Sequence, residues 1–312
     1  MKKLVTYIFP IHNESENIDL LYSVVSDVLK QRTDKYDFEI IFVNDGSTDD
    51  SLAKLQALYK QDDRIVIINF ARNFGHQLAV TAGLDYAHGD AVIIMDSDMQ
   101  DPPKVSLELL DQWESGFDVV YAQRRTRKDT AFKKITANGF YWLLHKVAEI
   151  EIPRNTGDFR LIDKKVVTAL NQFREHHRFL RGLVSYVGFK QTAVLFDREE
   201  RHAGETSYPL KKMLKFAGDG ILSFSAFPLK LISRIGYTFS VLSFVGLLYA
   251  LIVKIVNPSQ VVPGWTFIVS AILLVGGLQF VMLGVLGSYI GRIYTESQNR
   301  PLYIIESVTS KH

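Results

Sequence analysis

Two carboxylates and an amide, Asp96, Asp98 and Gln100, stand directly after the apolar run Ala91–Met95. Hard oxygen donors at the carboxyl end of a buried strand suit Mg²⁺ or Mn²⁺, and open α/β sheets bind ligands at that end. A diphosphate is the usual reason to hold such an ion. Taken alone, Asp-Ser-Asp would be a polar turn ahead of the helix that Pro102-Pro103 begins, but the surrounding residues favour the metal. A second polar cluster, Asn44-Asp45-Gly46-Ser47-Thr48-Asp49, follows the apolar run Glu39–Val43. Gly46 eases the bend, Ser47 or Asp49 is available to cap the next helix, and a carboxylate at Asp45 is an acceptor suited to the imide N–H of a uracil.

The elements that must position these residues are legible as a rhythm. Leu4–Phe9, Glu39–Val43, Ile65–Asn69, Ala91–Met95 and Asp118–Tyr121 read as strands, with amphipathic helical stretches between them. That alternation predicts a mainly parallel sheet covered on both faces. The first strand leads into Pro10-Ile11-His12-Asn13-Glu14 and not into G-x-G-x-x-G, which disfavours a dinucleotide site. With 312 residues, 47% of them hydrophobic, the chain has material for a large core, and its net charge of +2 argues against coating nucleic acid. There is no cysteine, which excludes disulfides, thiolate metal sites and cysteine nucleophiles. The basic start and Leu4–Phe9 are too short for a signal peptide and are read as the first strand.

Beyond about residue 230 the composition changes. Neither Ile235–Val253 nor Gly264–Gly291 contains a charge. At 1.5 Å per residue they extend about 28 and 42 Å, enough to cross a bilayer, the second with tilt. The stretch Val241–Ala250 lacks the polar stripe of a soluble helix, and Asn257–Pro263 makes a turn between the two runs. Lys230, Arg234, Arg292 and Arg300 flank the outer ends while Lys254 alone lies near the turn, so both termini are expected in the cytoplasm. Residues 209–229, with Lys211, Lys212 and Lys215 among apolar positions, suit a helix lying on an anionic membrane surface. Gly276, Gly277, Gly284 and Gly287 offer small-residue faces for close packing, between copies of the chain in a homo-oligomer or within the hairpin.

Pro10-x-x-Asn13-Glu14, Asn44-Asp45-Gly46-Ser47, Ala71-Arg72-Asn73-Phe74-Gly75-His76 and Asp96-x-Asp98-x-Gln100-Asp101-Pro102-Pro103, in this order and followed by the hairpin, resemble a family 2 glycosyltransferase. The whole chain is similar to the polyprenyl-phosphate group, which includes bactoprenol glucosyltransferases and dolichyl-phosphate mannose synthases. The resemblance implies a GT-A fold, that is, a Rossmann-like nucleotide-sugar-binding α/β domain over residues 1–208. It adds a juxtamembrane helix at 209–229 and, over 230–312, two spans at about 235–256 and 264–291 with a short cytoplasmic tail. It implies that Asp45 contacts the base, that Pro10, Asn13, Glu14, Asn44 and Asp96 line the nucleotide pocket, and that Asp96, Asp98 and Gln100 hold Mg²⁺ or Mn²⁺. Asn44 replaces an aspartate that many relatives carry, which leaves base pairing to Asp45. Arg124, Arg201 and Ser207 are expected on the acceptor phosphate, where arginine's planar fork fits.

Asp158, Asp98 and Arg201 are the positions on which the chemistry is expected to depend. Asp158, in Asn155-Thr156-Gly157-Asp158-Phe159-Arg160, would alone be a turn residue; the resemblance sets it near the acceptor, where it is often called the base. A phosphate monoester with a second pKa of about 6 needs little deprotonation, so Asp158 instead orients an arginine or accepts a last proton. His76 and His202 are read as loop or packing residues. The expected reaction is inverting transfer of a hexose, glucose first, from a UDP-sugar to undecaprenyl phosphate at the bacterial cytoplasmic membrane. Its alternatives are another lipid acceptor, a processive synthase weakened by the lack of Q-x-x-R-W, and a membrane-anchored nucleotide-binding scaffold.

Overall fold

The computed structural model describes residues 2–125, 153, 156–197, scattered positions from 229 to 245, and 264–311. At its centre is β1 (Lys3–Ile11), whose residues Val5 to Ile11 are all buried. It lies between β2 (Tyr36–Asn44) and β4 (Ala91–Ile94), pairing with both in parallel, and β3 (Ile65–Phe70) extends the parallel set beyond β2. Such strands have no solvent face, which is why their sequences read as unbroken apolar runs. The helices α1 (Ser15–Lys30), α2 (Ser51–Tyr59), α3 (His76–Tyr86) and α4 (Val105–Glu114) make the crossovers.

Side chains alternate across β1. Val5, Tyr7, Phe9 and Ile11 join Ile18, Leu21, Val25 and Leu29 of α1 and Leu109, Leu110 and Trp113 of α4 in one core layer. Ile8 joins Val80, Ala82 and Leu84 of α3 in the other. Phe9 and Phe42 stack with ring centroids 5.4 Å apart inside the first layer. The five strands expected from the sequence are all present, with ends moved by a few residues.

Three further strands change the sheet from mainly parallel to mixed. After β5 (Val119–Arg124), the chain returns as β6 (Thr156–Asp163), which lies antiparallel between β4 and β5. Asp158 therefore stands in a strand and not in the turn read from its glycine. Two short helices, α5 (Lys164–Leu170) and α6 (Leu180–Tyr186), lead to β7 (Gln191–Phe196), parallel to β5. The second expected span lies within one helix, α7 (Trp265–Ser297), of 33 residues. The tail after it forms β8 (Ile305–Thr309), antiparallel on β3, so the sheet order is β7-β5-β6-β4-β1-β2-β3-β8. β7 and β8 are the two edges of the sheet, where a strand need not be apolar on both faces, whereas β6 is an interior strand whose place between β4 and β5 is set by pairing with residues far away in the chain.

Counted over the described residues, no helix is long and apolar enough to cross a membrane. The side chains at 265–267, 269, 270, 273 and 274 within α7 fall outside that count, as do residues 209–228 and most of the first expected span.

Candidate functional site

The chain winds from β1 through β2 to β3 on one side and then crosses to β4 on the other, so the switch point lies between β1 and β4. Ligands of open α/β sheets bind outside the carboxyl ends of the strands at such a point. Ser97 ties the two ends together, its hydroxyl donating to the Pro10 carbonyl at 3.2 Å. The antiparallel register of β4 with β6 sets Ile94 opposite Arg160. Carried two residues further, it sets Asp96 beside Asp158.

His76, the first residue of α3, enters between them. Its Nε2 is 3.2 Å from Asp158 Oδ2 and 3.6 Å from Asp96 Oδ1. Arg181, in the first turn of α6, donates from Nε and Nη2 to both oxygens of Asp158, at 2.8 and 3.2 Å. The two helices are joined where the Leu180 amide donates to Gln77 Oε1 at 3.0 Å. Arg160 is buried and turned back on its own strand, donating to the carbonyls of Gly157 and Asp158. Arg124 Nη2 lies 3.9 Å from the buried Asp101, and a Cβ at Gly157 would come within 3.4 Å of it.

Burial by itself would raise the Asp158 pKa, but the charge of Arg181 and the hydrogen bonds with His76 and Arg181 hold it well below the usual carboxylate range. Burial also disfavours a charged His76, yet its bond to Asp158 and the charges of Asp96 and Asp158 outweigh it and raise the imidazole to about 9. Asp96 is pushed up, by burial first; the charges of Asp158 and Asp98 add to this and His76 opposes it. Burial brings Arg160 down to about 10, which leaves it cationic at neutral pH.

These shifts predict a pH dependence of stability in EDTA. The contribution of His76 is complete below the ordinary imidazole value of about 6.5 and is lost as pH rises through about 9. That of Asp158 is present above the ordinary carboxylate range and is lost only as pH falls through its lowered folded value. The Tm is therefore expected to fall between pH 6.5 and 9, and His76→Gln to flatten that fall. An equal fall in the variant would show that His76 is not its cause.

The residues expected to line the nucleotide pocket hold two turns together. Both Asp45 oxygens accept backbone N–H groups, from Phe74 at 2.6 Å and Gly75 at 2.9 Å. This hold places His76, the next residue, over the carboxylates. Gly46 has φ 61°, and a Cβ there would lie 2.4 Å from the backbone of Arg72 and Asn73, so the 44–47 turn and the 71–75 loop meet without room for a side chain. Asn13, at φ 55°, accepts from the Thr48 amide and donates its own amide to Ser47 Oγ. Glu14 Oε2 accepts from Asn17, and Asn44 donates to Asn69 Oδ1 at 2.7 Å. Asp98 Oδ1 accepts the Gln100 amide at 3.1 Å across Met99, which has φ 58°.

The structure thus gathers Pro10, Asn13, Glu14, Asn44 and Asp45 at one end of β1 and β2, and Asp96, Asp98, Gln100, Arg124 and Asp158 along the neighbouring ends of β4, β5 and β6. Arg201 and Ser207 lie outside the described residues. Reading His76 as a loop or packing residue is corrected: it bridges two site carboxylates. Arg181 carries no sequence signal, since 23 residues separate it from Asp158. The loop motif ending in His76 was the available clue to that residue.

The residues fit a divalent ion. Asp96 Oδ1 is buried without a hydrogen-bond partner among the described residues, and three carboxylates crowd there. Among the described residues no group of three or more His, Cys, Asp and Glu side chains could by itself hold a metal. An Mg²⁺-type site uses one or two carboxylates and takes its remaining oxygens from substrate phosphates and water.

Residues 6–170 match the family described as Glycosyl transferase family 2. The uncharacterized glycosyltransferase YkcC of Bacillus subtilis (strain 168) is 48% identical over 96% of this chain and 92% of its own length. The uncharacterized glycosyltransferase sll0501 of Synechocystis sp. (strain ATCC 27184 / PCC 6803 / Kazusa) is 45% identical over 97% and 95%. The bactoprenol glucosyl transferase of Shigella phage SfV is 40% identical over 98% and 99%. With the α/β fold and mixed central sheet of the GT-A class, a family match over more than half its length and such relatives over nearly all of it, this chain is a glycosyltransferase belonging to family 2.

Proposed function

We propose that the chain transfers a hexose, with inversion, from a UDP-sugar to a polyprenyl phosphate on the cytoplasmic leaflet of the bacterial inner membrane, with glucose and undecaprenyl phosphate as the first candidates. The observation that carries the reading is the meeting of Asp96 and Asp98 with the Arg181-held Asp158 at the switch point. The acceptor is supported by the relative from Shigella phage SfV, named a bactoprenol glucosyl transferase and similar along its whole length. The uncharged runs Ile235–Val253 and Gly264–Gly291 support two spans, with both termini on the cytoplasmic side. They would keep the site at the bilayer surface, where the lipid's phosphate lies.

In this reading the acceptor phosphate oxygen attacks the anomeric carbon. The bond from that carbon to the UDP oxygen breaks, and its electron pair leaves on the β-phosphate. Asp96 and Asp98, with Gln100 beside them, would hold the divalent ion, which when bound neutralises charge on the departing diphosphate. Asp158, kept ionised by Arg181 and His76, is a weak base, and an acceptor already ionised at pH 7 asks for none. Its work is to fix Arg181 and His76 around the reacting groups, with Arg124 and Arg201 aiming the acceptor phosphate. Positioning and preorganised charge thus carry the rate.

The test is transfer of radiolabelled sugar from a panel of UDP- and GDP-sugars to undecaprenyl phosphate in detergent, with and without EDTA. The expected product is organic-extractable, β-linked, formed from a UDP-sugar and lost with EDTA. An α-linked product would sink the single displacement. Binding of UDP without transfer from any donor would point to another acceptor or to a scaffold.

A further inference from the structure

The strand β8 meets β3 with an irregularity: Asn69 pairs with Ser307 and Phe70 with Ile305. One extra residue, Glu306, therefore stands on the β8 side. Bulges of this kind re-aim a side chain and often lie beside active sites. Here the bulge aims Glu306 at Asn69, whose Nδ2 donates to Glu306 Oε2 at 2.8 Å, while Asn69 Oδ1 accepts from Asn44 Nδ2 at 2.7 Å. A charge on an edge strand ordinarily serves to discourage edge-to-edge pairing. It does not ordinarily reach two amides deep into the sheet.

The chemistry of the three groups sets a direction. An ionised carboxylate only accepts, so Asn69 must turn its NH₂ to Glu306 and its oxygen to Asn44. Asn44 must then give its NH₂ to Asn69 and keep its own oxygen on the other side. That Oδ1 is buried and has no hydrogen-bond partner among the described residues. Asn44 ends β2 directly before Asp45, in the candidate nucleotide pocket, and a buried acceptor of this kind gains from meeting a donor.

We infer that Glu306 is a positioning residue for the donor nucleotide: through Asn69 it fixes the amide of Asn44 as a hydrogen-bond acceptor, which selects a base whose edge presents a ring N–H, such as uracil, over one that presents a bare ring nitrogen, such as cytosine. The inference rests on the nucleotide-sugar reading above and adds base selection to it. A tail residue 237 positions from Asn69 thereby takes part in the pocket.

The full-length protein in detergent, with UDP and CDP titrated by calorimetry, provides the test. Wild type is expected to prefer UDP. Glu306→Lys offers only donors, so Asn69 and Asn44 reverse and Asn44 presents NH₂. The CDP-to-UDP ratio of Kd values is expected to fall about tenfold, the effect of one well-made hydrogen bond. Glu306→Gln carries a donor as well as an acceptor, so it no longer fixes the direction of the two asparagines and is expected to give a ratio between those of wild type and Glu306→Lys. A purely electrostatic role predicts instead that the added positive charge tightens both diphosphates alike. Asn69→Leu removes the middle of the relay and is expected to reduce the ratio too, which covers the case of a Lys variant that melts early. An unchanged ratio in both Glu306→Lys and Asn69→Leu overturns the relay. Failure of folded wild type to bind UDP would instead overturn the nucleotide-sugar reading.

Discussion

Asp98→Asn is expected to lower kcat/KM by about 10³-fold while leaving the Tm within a few degrees of wild type. The loss corresponds to ~4 kcal/mol of transition-state stabilisation, the scale on which a bound cation acts on developing charge. The fold should tolerate the change because the bond that Asp98 makes locally, accepting the Gln100 amide, is open to an amide oxygen as well. What disappears is the negative charge at the end of β4. Asp96→Asn should show a similar loss of turnover, with a Tm in EDTA no lower than wild type. The folded chain disfavours the ionised form of Asp96, so its ionisation weakens the fold as pH rises past the ordinary carboxylate range, and asparagine removes that penalty. Turnover by Asp98→Asn above a tenth of wild type, on initial rates, would remove Asp98 from the metal and diphosphate site.

Arg181→Ala is expected to destabilise the protein by ~3 kcal/mol and to reduce kcat sharply. The magnitude is the lower end for breaking a buried ion pair, because the Arg181 side chain remains 26% exposed while that of Asp158 is 12% exposed. Removing the guanidinium deprives Asp158 of both charge-assisted bonds and leaves His76 as its hydrogen-bonding cation. Arg181→Lys should recover only part of the stability, since an ammonium cannot make two parallel bonds. Coupling Arg181→Ala with Asp158→Asn should restore much of the Tm, because the stranded charge is gone, without restoring activity. Urea melts of the two single variants and the double variant decide it. A double variant no more stable than Arg181→Ala would mean that the pair does not act as a unit.

The part of the chain whose strands are buried on both faces was legible in the sequence. The runs at β1, β2, β3 and β4 must be apolar throughout, and ligand chemistry must follow their carboxyl ends. Asn44, Asp45, Asp96 and Asp98 could therefore be placed from residue order alone, and the motif order carried the family. Asp158 could be singled out but not placed. Its glycine suggested a turn, whereas the antiparallel entry of β6 beside β4 sets it against Asp96.

Other features belong to the tertiary structure. His76 gains its role because Asp45 anchors the loop before it, Arg181 because α6 packs its first turn against α3, and Glu306 because the tail returns as an edge strand with one residue too many. Each depends on contacts between residues far apart in the chain, for which local pattern has no signature. Composition and periodicity determined which elements form and which strand ends carry chemistry, because burial acts on each segment separately. Only the packing of segments decided which charges meet, because opposite charges and directed hydrogen bonds fix their worth by distance.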